Sequence, residues 1–272
     1  MQSDIQQLVN AIEGLQSNPF KDYILPIGSV LLSGALGAGV AYYSIDRQET
    51  TKIEIGKIKA INEILLMVSE MRTILIAIKQ NYHQKLTTDP IQRLLLVPPI
   101  SIPEKIFIFD FTKLSFILPA HGRSKWDQLP FINTLFHNFN NTVDLWNIRT
   151  DEISQRRDIL DSMPNGLSKE LLSHYLGEGV LINLTDLTER VLRSTDCLII
   201  ELTCFLCGFP FVVKKYVDSK ILKKYGQILQ VKVLENSLDF HSLIETLDLL
   251  KMAKIQHLSI EQTEQRYASL YS

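Results

Sequence analysis

The stretch Tyr23–Ile45, YILPIGSVLLSGALGAGVAYYSI, runs for 23 positions without a charge and is closed at either end by Asp22 and Asp46. A helix needs ~20 apolar residues to cross a hydrocarbon core ~30 Å thick. The stretch therefore predicts a membrane-spanning helix. Pro26 falls in its first turn, where a missing N–H costs little. A cleaved signal peptide would carry a basic leader and a shorter apolar core. The residues ahead of this run hold Asp4, Glu13, Lys21 and Asp22, so an uncleaved anchor is expected.

The run has an internal order. Ser29, Ser33, Gly37 and Ala41 recur four apart and form one helical ridge; Val30, Gly34 and Ala38 form the next. Small residues let helices approach closely in lipid, where packing drives association. Ser29, Ser33, Gly34, Gly37, Ala38 and Ala41 are thus the expected packing positions of a self-associating helix. The plainer alternative is the general abundance of small residues in membrane helices.

Flanking charge gives an orientation. Lys21 precedes the run, whereas Arg47, Lys52, Lys57 and Lys59 follow it. The positive-inside rule places the amino terminus outside and the body in the cytoplasm of a single-pass membrane protein. The three cysteines, Cys197, Cys204 and Cys207, share one apolar segment, which suits a reducing compartment better than a disulfide framework. Net charge is −2, so no global field favours nucleic acid or anionic lipid.

The expected organisation is a short tail over 1–22, the span over 23–45, a helical stalk over 46–85, a proline-rich connector over 86–105 and a cytoplasmic helical domain over 106–272. The tail is weakly amphipathic. In the stalk, Ile64, Met67, Met71, Ile74 and Ile78 alternate three and four apart, and Ile58, Ile61, Leu65, Val68 and Leu75 widen the face to that of a bundle helix. Asp89-Pro90 predicts a helical turn through Leu96, and the prolines of Val97–Pro103 force an extended chain. Ile106–Phe111 is β-rich. A helix is expected from about Trp126 to Leu160, interrupted in character by Asn138, Asn140 and Asn141. Further helices are expected over Leu167–Leu176, Leu181–Val213, Ile221–Leu234, Phe240–Lys254 and Ile260–Leu270, the last opened by a Ser259/Gln262 capping box. The fold class is mainly α: a transmembrane helix and a helical bundle with at most a short β segment.

Cys197–Val213 is a rival second span. It has 17 residues, with Glu201 inside. That length is at the bottom of the range, and a glutamate is costly in lipid. A second crossing would also put Lys214, Lys215, Lys220, Lys223 and Lys224 outside. A buried bundle helix is the expectation.

Chemical motifs are sparse. Cys204 and Cys207 have CxxC spacing without a βαβ context or a second ligand pair, and are expected to pack as buried small hydrophobes. No histidine pair has metal spacing; His121 beside Arg123 is the one loop histidine of interest. No P-loop or nucleophile elbow occurs. No metal, cofactor or catalytic residue is expected, and the protein is read as a non-enzyme. Lys214, Lys215, Lys220, Lys223 and Lys224 are candidates for contact with lipid headgroups or nucleic acid, against the ordinary reading of a solvated helix face.

Phe109–Leu118 (FDFTKLSFIL), followed by a helix ending Leu145-Trp146-Asn147-Ile148-Arg149, resembles a pattern in bacterial proteins that carry one N-terminal span and a helical cytoplasmic domain. The layout is also similar to the toxic membrane effectors of abortive-infection systems, including retron-linked transmembrane proteins. That resemblance implies an effector held inactive by a partner, such as a reverse transcriptase with its nucleic acid, and acting on the bilayer. The alternative is a membrane-tethered scaffold whose helical domain binds a protein.

Overall fold

The computed structural model describes residues 2–14, 20, 24–103, 106–118, 124–162, 168–232, 240–244 and 246–267. Among these the chain is helical, with extended connections and no strand. It divides into two compact units, Met1–Glu54 and Ile55–Ser272.

The first unit contains α1 (Gln2–Gly14) and the first part of α2 (Leu25–Gln80). Helix α1 buries no residue. Helix α2 is 56 residues long and passes without a break from the uncharged run into the heptad-patterned stretch. Its buried positions begin at Ile58, where the amphipathic pattern starts.

The second unit is built on that pattern. Ile61, Ile64, Leu65, Val68, Met71 and Leu75 are fully buried. Asp89 then caps α3 (Pro90–Leu96) by accepting from the Ile91 and Gln92 amides. Phe111–Ile117 is a 3₁₀ turn capped by Asp110, and the expected β-rich run before it is extended but unpaired with any strand. A second 3₁₀ turn, Lys125–Asp127, leads into α4 (Leu129–Ser154). The helix expected to run to Leu160 breaks at Gln155–Arg156 and resumes as α5 (Arg157–Asp161).

Next come α6 (Lys169–Leu176) and α7 (Glu178–Val213). Gly177, at φ +84°, turns the chain between them, a backbone region that glycine enters without strain. Past α7 come α8 (Ser219–Tyr225) and α9 (Leu249–Gln256), both shorter than expected, and α10 (Ile260–Tyr267), the rest of whose expected length to Leu270 lies outside the described residues. Gly226 at φ +152° ends α8, and the chain then lies along α2, where Asn62 bonds both the Gln227 carbonyl and the Leu229 amide. Ser259 and Gln262 form the capping box of α10. Parts of the expected helices over Ile221–Leu234 and Phe240–Lys254 fall outside the described residues; what is described there is helical only in α8, a short turn at Phe240–His241 and α9.

The main core joins α2, α4, α7 and the extended segment around Val97–Phe109. A smaller one gathers Ile91, Ile153, Leu172, Leu181 and Ile255. Trp126 packs edge-on against Phe205, 5.3 Å between ring centres, and needs Gly208 beneath it: a Cβ there would meet Trp126 Nε1 at 2.6 Å.

The proline connector is held from α4. Asn147 accepts from the Ile102 amide at 3.0 Å and donates to its carbonyl at 3.2 Å. Asn140 does the same to Phe107, at 3.1 Å in both directions. Thr150 accepts from the Ile100 amide and donates to its carbonyl. Side-chain amides on one helix edge thus take the place of a neighbouring strand and satisfy backbone groups that burial would otherwise orphan. Arg149, fully buried, donates to the Leu94, Val97 and Pro98 carbonyls and to Thr188 Oγ1. Burial pushes its guanidinium down to about 10, which leaves it charged at neutral pH.

Arg149→Met should cost about 3 kcal/mol or more, because several buried carbonyls lose their donor, and Asn147→Leu about 1–3 kcal/mol. Denaturant unfolding of the detergent-solubilised chain measures both. The connector should also become the new site of limited proteolysis; unchanged cleavage and stability would contradict this account of the connector.

Candidate functional site

The apolar part of α2 is one candidate. Ser29, Ser33, Gly34, Gly37, Ala38 and Ala41 all lie on it and are exposed. Ser29 Oγ donates to the Pro26 carbonyl at 2.8 Å and Ser33 Oγ to the Val30 carbonyl at 2.9 Å. Both hydroxyls are therefore satisfied within the helix, which lowers their cost in an apolar medium. A Cβ added to Gly34 or Gly37 would meet nothing within 4 Å, so packing among the described residues does not require glycine there. Around the small residues, Val30, Leu31, Leu32, Leu36, Val40, Tyr42 and Tyr43 are all exposed. Contiguous apolar surface of this kind marks an interaction with lipid or another protein.

Among the described residues two helices are long and apolar enough to cross a membrane, α2 and the one that includes α7. Their surroundings differ. None of the apolar window of α2 is buried, whereas half of that in α7 is. Leu198, Ile199, Leu202, Phe205, Leu206, Phe209 and Val213 all pack inside the second unit.

The buried side of α7 also carries polar groups that sequence reading passed over. Glu189, Asp196 and Thr203 are spaced by seven, as are Thr188 and Thr195. Each meets a partner. Arg93 Nη1 bonds Glu189 Oε2 at 2.9 Å. Lys79 Nζ lies 2.7 Å from Asp196 Oδ1, with both side chains no more than 3% exposed. Arg72 Nε donates to Thr203 Oγ1 at 2.7 Å. Arg149 Nε donates to Thr188 Oγ1 and Trp146 Nε1 to Thr195 Oγ1, each at 2.9 Å. Arg72 and Lys79 are themselves seven apart, and they meet Thr203 and Asp196 in reverse order, so the rungs fix an antiparallel register between α2 and α7. A buried polar pair is well suited to choosing a register. The signal was present in the sequence as matched seven-residue spacings of polar residues on two apolar helices.

The same rungs hold the chain that follows. Lys79 Nζ donates to the Ser242 carbonyl at 2.6 Å, and the Ile244 amide donates to Asp196 Oδ2 at 2.8 Å. His241 Nε2 stands 2.9 Å from Thr203 Oγ1 and 3.2 Å from Arg72 Nη2. Burial raises the Asp196 carboxyl and Lys79 opposes the rise; burial likewise raises Glu189 and Arg93 opposes it. Two cavities, of about 280 and 370 Å³, adjoin this side of α7, and both touch Glu189, Arg193, Cys197 and Tyr267.

The lysines form the third feature. Lys214 and Lys215 lie on a 3₁₀ turn, and Lys220, Lys223 and Lys224 on α8; all five are exposed. The thiols differ from expectation: Cys204 and Cys207 are exposed on α7, not buried, because the buried stripe is carried by Leu202, Phe205, Leu206 and Phe209 instead. Among the described residues no three His, Cys, Asp or Glu side chains are grouped to hold a metal ion. His121 and Arg123 lie outside the described residues.

No protein-family model, curated protein or solved structure matches the chain.

The Lys79–Asp196 rung gives a signed prediction. The folded state holds the Asp196 proton to a higher pH than the unfolded chain, so its contribution to stability falls as pH rises through that interval from about pH 4. Removing Lys79 widens the interval. Lys79→Met should therefore cost about 3–5 kcal/mol at pH 7 and distinctly less at pH 4, and a second change, Asp196→Leu, should restore part of the loss. Unfolding curves at the two pH values test it; an equal loss at both would contradict the buried pair.

Proposed function

We propose that this chain is a membrane-anchored effector, the bilayer-perturbing component of a bacterial antiphage system of the retron or abortive-infection type. The carrying observation is the uncovered apolar part of α2, with its ridge of Ser29, Ser33, Gly37 and Ala41. In this reading α2 is the single crossing of the inner membrane, with the amino terminus outside and the second unit in the cytoplasm. The burial of half the apolar window of α7 supports one crossing over two, as does Glu201 within Cys197–Val213; a glutamate is expensive in lipid. Helices of several copies pack through Ser29, Ser33, Gly34, Gly37, Ala38 and Ala41. The cytoplasmic unit is held by a partner, a reverse transcriptase with its nucleic acid in the retron version of this reading, and release lets the membrane helices assemble.

Expression of the chain alone should depolarise the membrane and stop growth, and Gly37→Leu should reduce depolarisation at least ~10-fold by blocking close helix approach. Unchanged depolarisation in that variant would refute the packing role. Replacing Tyr23–Ile45 by a polyleucine span separates the effector from a tethered scaffold, since only the scaffold keeps its function after the exchange.

A further inference from the structure

We propose that the lysine surface at Lys214–Lys224 binds the anionic headgroups of the leaflet beside which the second unit is tethered; this rests on the reading of α2 as a membrane anchor. The first observation is charge. Lys214, Lys215, Lys220, Lys223 and Lys224 are all exposed, and Asp218 is the one acid among them. Asp218 is used as the cap of α8, accepting from the Lys220 amide at 2.7 Å. Asp127, from the 3₁₀ turn before α4, is buried and lies 3.6 Å from Lys215 Nζ. The stretch of α2 from Asp46 to Glu63 balances its four cations with four carboxylates, so the excess charge comes from the lysine surface itself.

The second observation is attachment. Lys57 Nζ donates to the Tyr216 carbonyl at 3.2 Å, and Asn62 holds Gln227 and Leu229. The lysine segment is thus fixed at both ends to the first turns of the second unit, which follow the uncharged run by about a dozen residues. A basic surface on so short a tether stays at high effective concentration near the bilayer, and each lysine there adds to attraction by an anionic leaflet.

The third observation is the company the lysines keep. Phe211, 74% exposed, precedes the pair Lys214 and Lys215, and Tyr225, 48% exposed, ends α8 under Lys224 Nζ. Aromatic rings beside lysines suit the headgroup level of a membrane. The patch contains no arginine, the residue whose planar fork reads phosphates in fixed geometry. That composition favours a diffuse anionic surface over a nucleic acid.

The test uses the full chain in nanodiscs of phosphatidylcholine alone or with phosphatidylglycerol, with lysine acylation followed by mass spectrometry. Entry of the chain into either disc is checked first by co-purification; failure there overturns the anchor itself and this inference with it. With the chain inserted, Lys214, Lys215, Lys220, Lys223 and Lys224 should acylate about fivefold more slowly in the anionic discs, high salt should abolish the difference, and Lys169 and Lys254 should not change. Lys220→Gln with Lys223→Gln and Lys224→Gln, all at exposed positions, should return much of the reactivity of Lys214 and Lys215. Equal reactivity in the two discs overturns the proposal while leaving the anchor standing. So does protection by single-stranded nucleic acid in neutral discs without protection by anionic lipid.

Discussion

Helix α7 is too apolar to be left in water, and what covers it decides the rest of the second unit. Lipid around Cys197–Val213 would strand Glu201 in hydrocarbon. Protein cover also brings Arg93 to Glu189 and Lys79 to Asp196, at 2.9 and 2.7 Å. Breaking either pair would leave an uncompensated buried charge, a cost of about 3–5 kcal/mol, so the polar rungs constrain α2, α3 and α7 more sharply than the leucines around them. Apolar contacts would tolerate a slide by one heptad. The pairing of Arg72 with Thr203 and Lys79 with Asp196 would not.

Helix α4 meets the same demand on its other edge. Arg149 and Trp146 reach α7 through Thr188 and Thr195, while Asn140, Asn147 and Thr150 face the proline-bearing connector. Prolines cannot donate to a ladder, and the chain between them cannot be helical. An edge of amides and one guanidinium supplies what secondary structure does not. The first part of α2 has no such cover and needs none if its surroundings are lipid: its serines bond back to their own helix, and its small residues leave room for another helix. One physical rule, that apolar helices must be covered and buried polar groups paired, thus yields a protein-covered helix in one unit and a bare one in the other.

Much of this was legible from periodicity. The heptads of 58–78 marked the buried face of α2, Asp89-Pro90 marked α3, and Ser259 and Gln262 marked the start of α10; Cys197–Val213 read as a buried bundle helix and lies in α7 with half of the apolar window buried. The failures have local causes. Asn140 looked like a defect because its partner, Phe107, is 33 residues away. Ile106–Phe111 has strand composition, but a helix edge took the place of a strand. Cys204 and Cys207 face outward because phenylalanine and leucine claim the inward positions. Residues 226–232 have apolar spacing fit for a helix, yet Gly226 and the hold of Asn62 keep that stretch out of one. The polar rungs escaped notice because each is half of a pair, and pairing across helices shows only when two spacings are compared.

Thiol labelling tests the central claim, a single anchor with α7 inside a water-facing body. Cys204 and Cys207 are native, exposed and on α7. In inside-out membrane vesicles a membrane-impermeant maleimide should label both without detergent, and in right-side-out vesicles it should label a Ser3→Cys variant at that position while leaving both native thiols untouched. If Cys204 and Cys207 stay unlabelled from either side until detergent is added, α7 lies in the bilayer and the account is wrong.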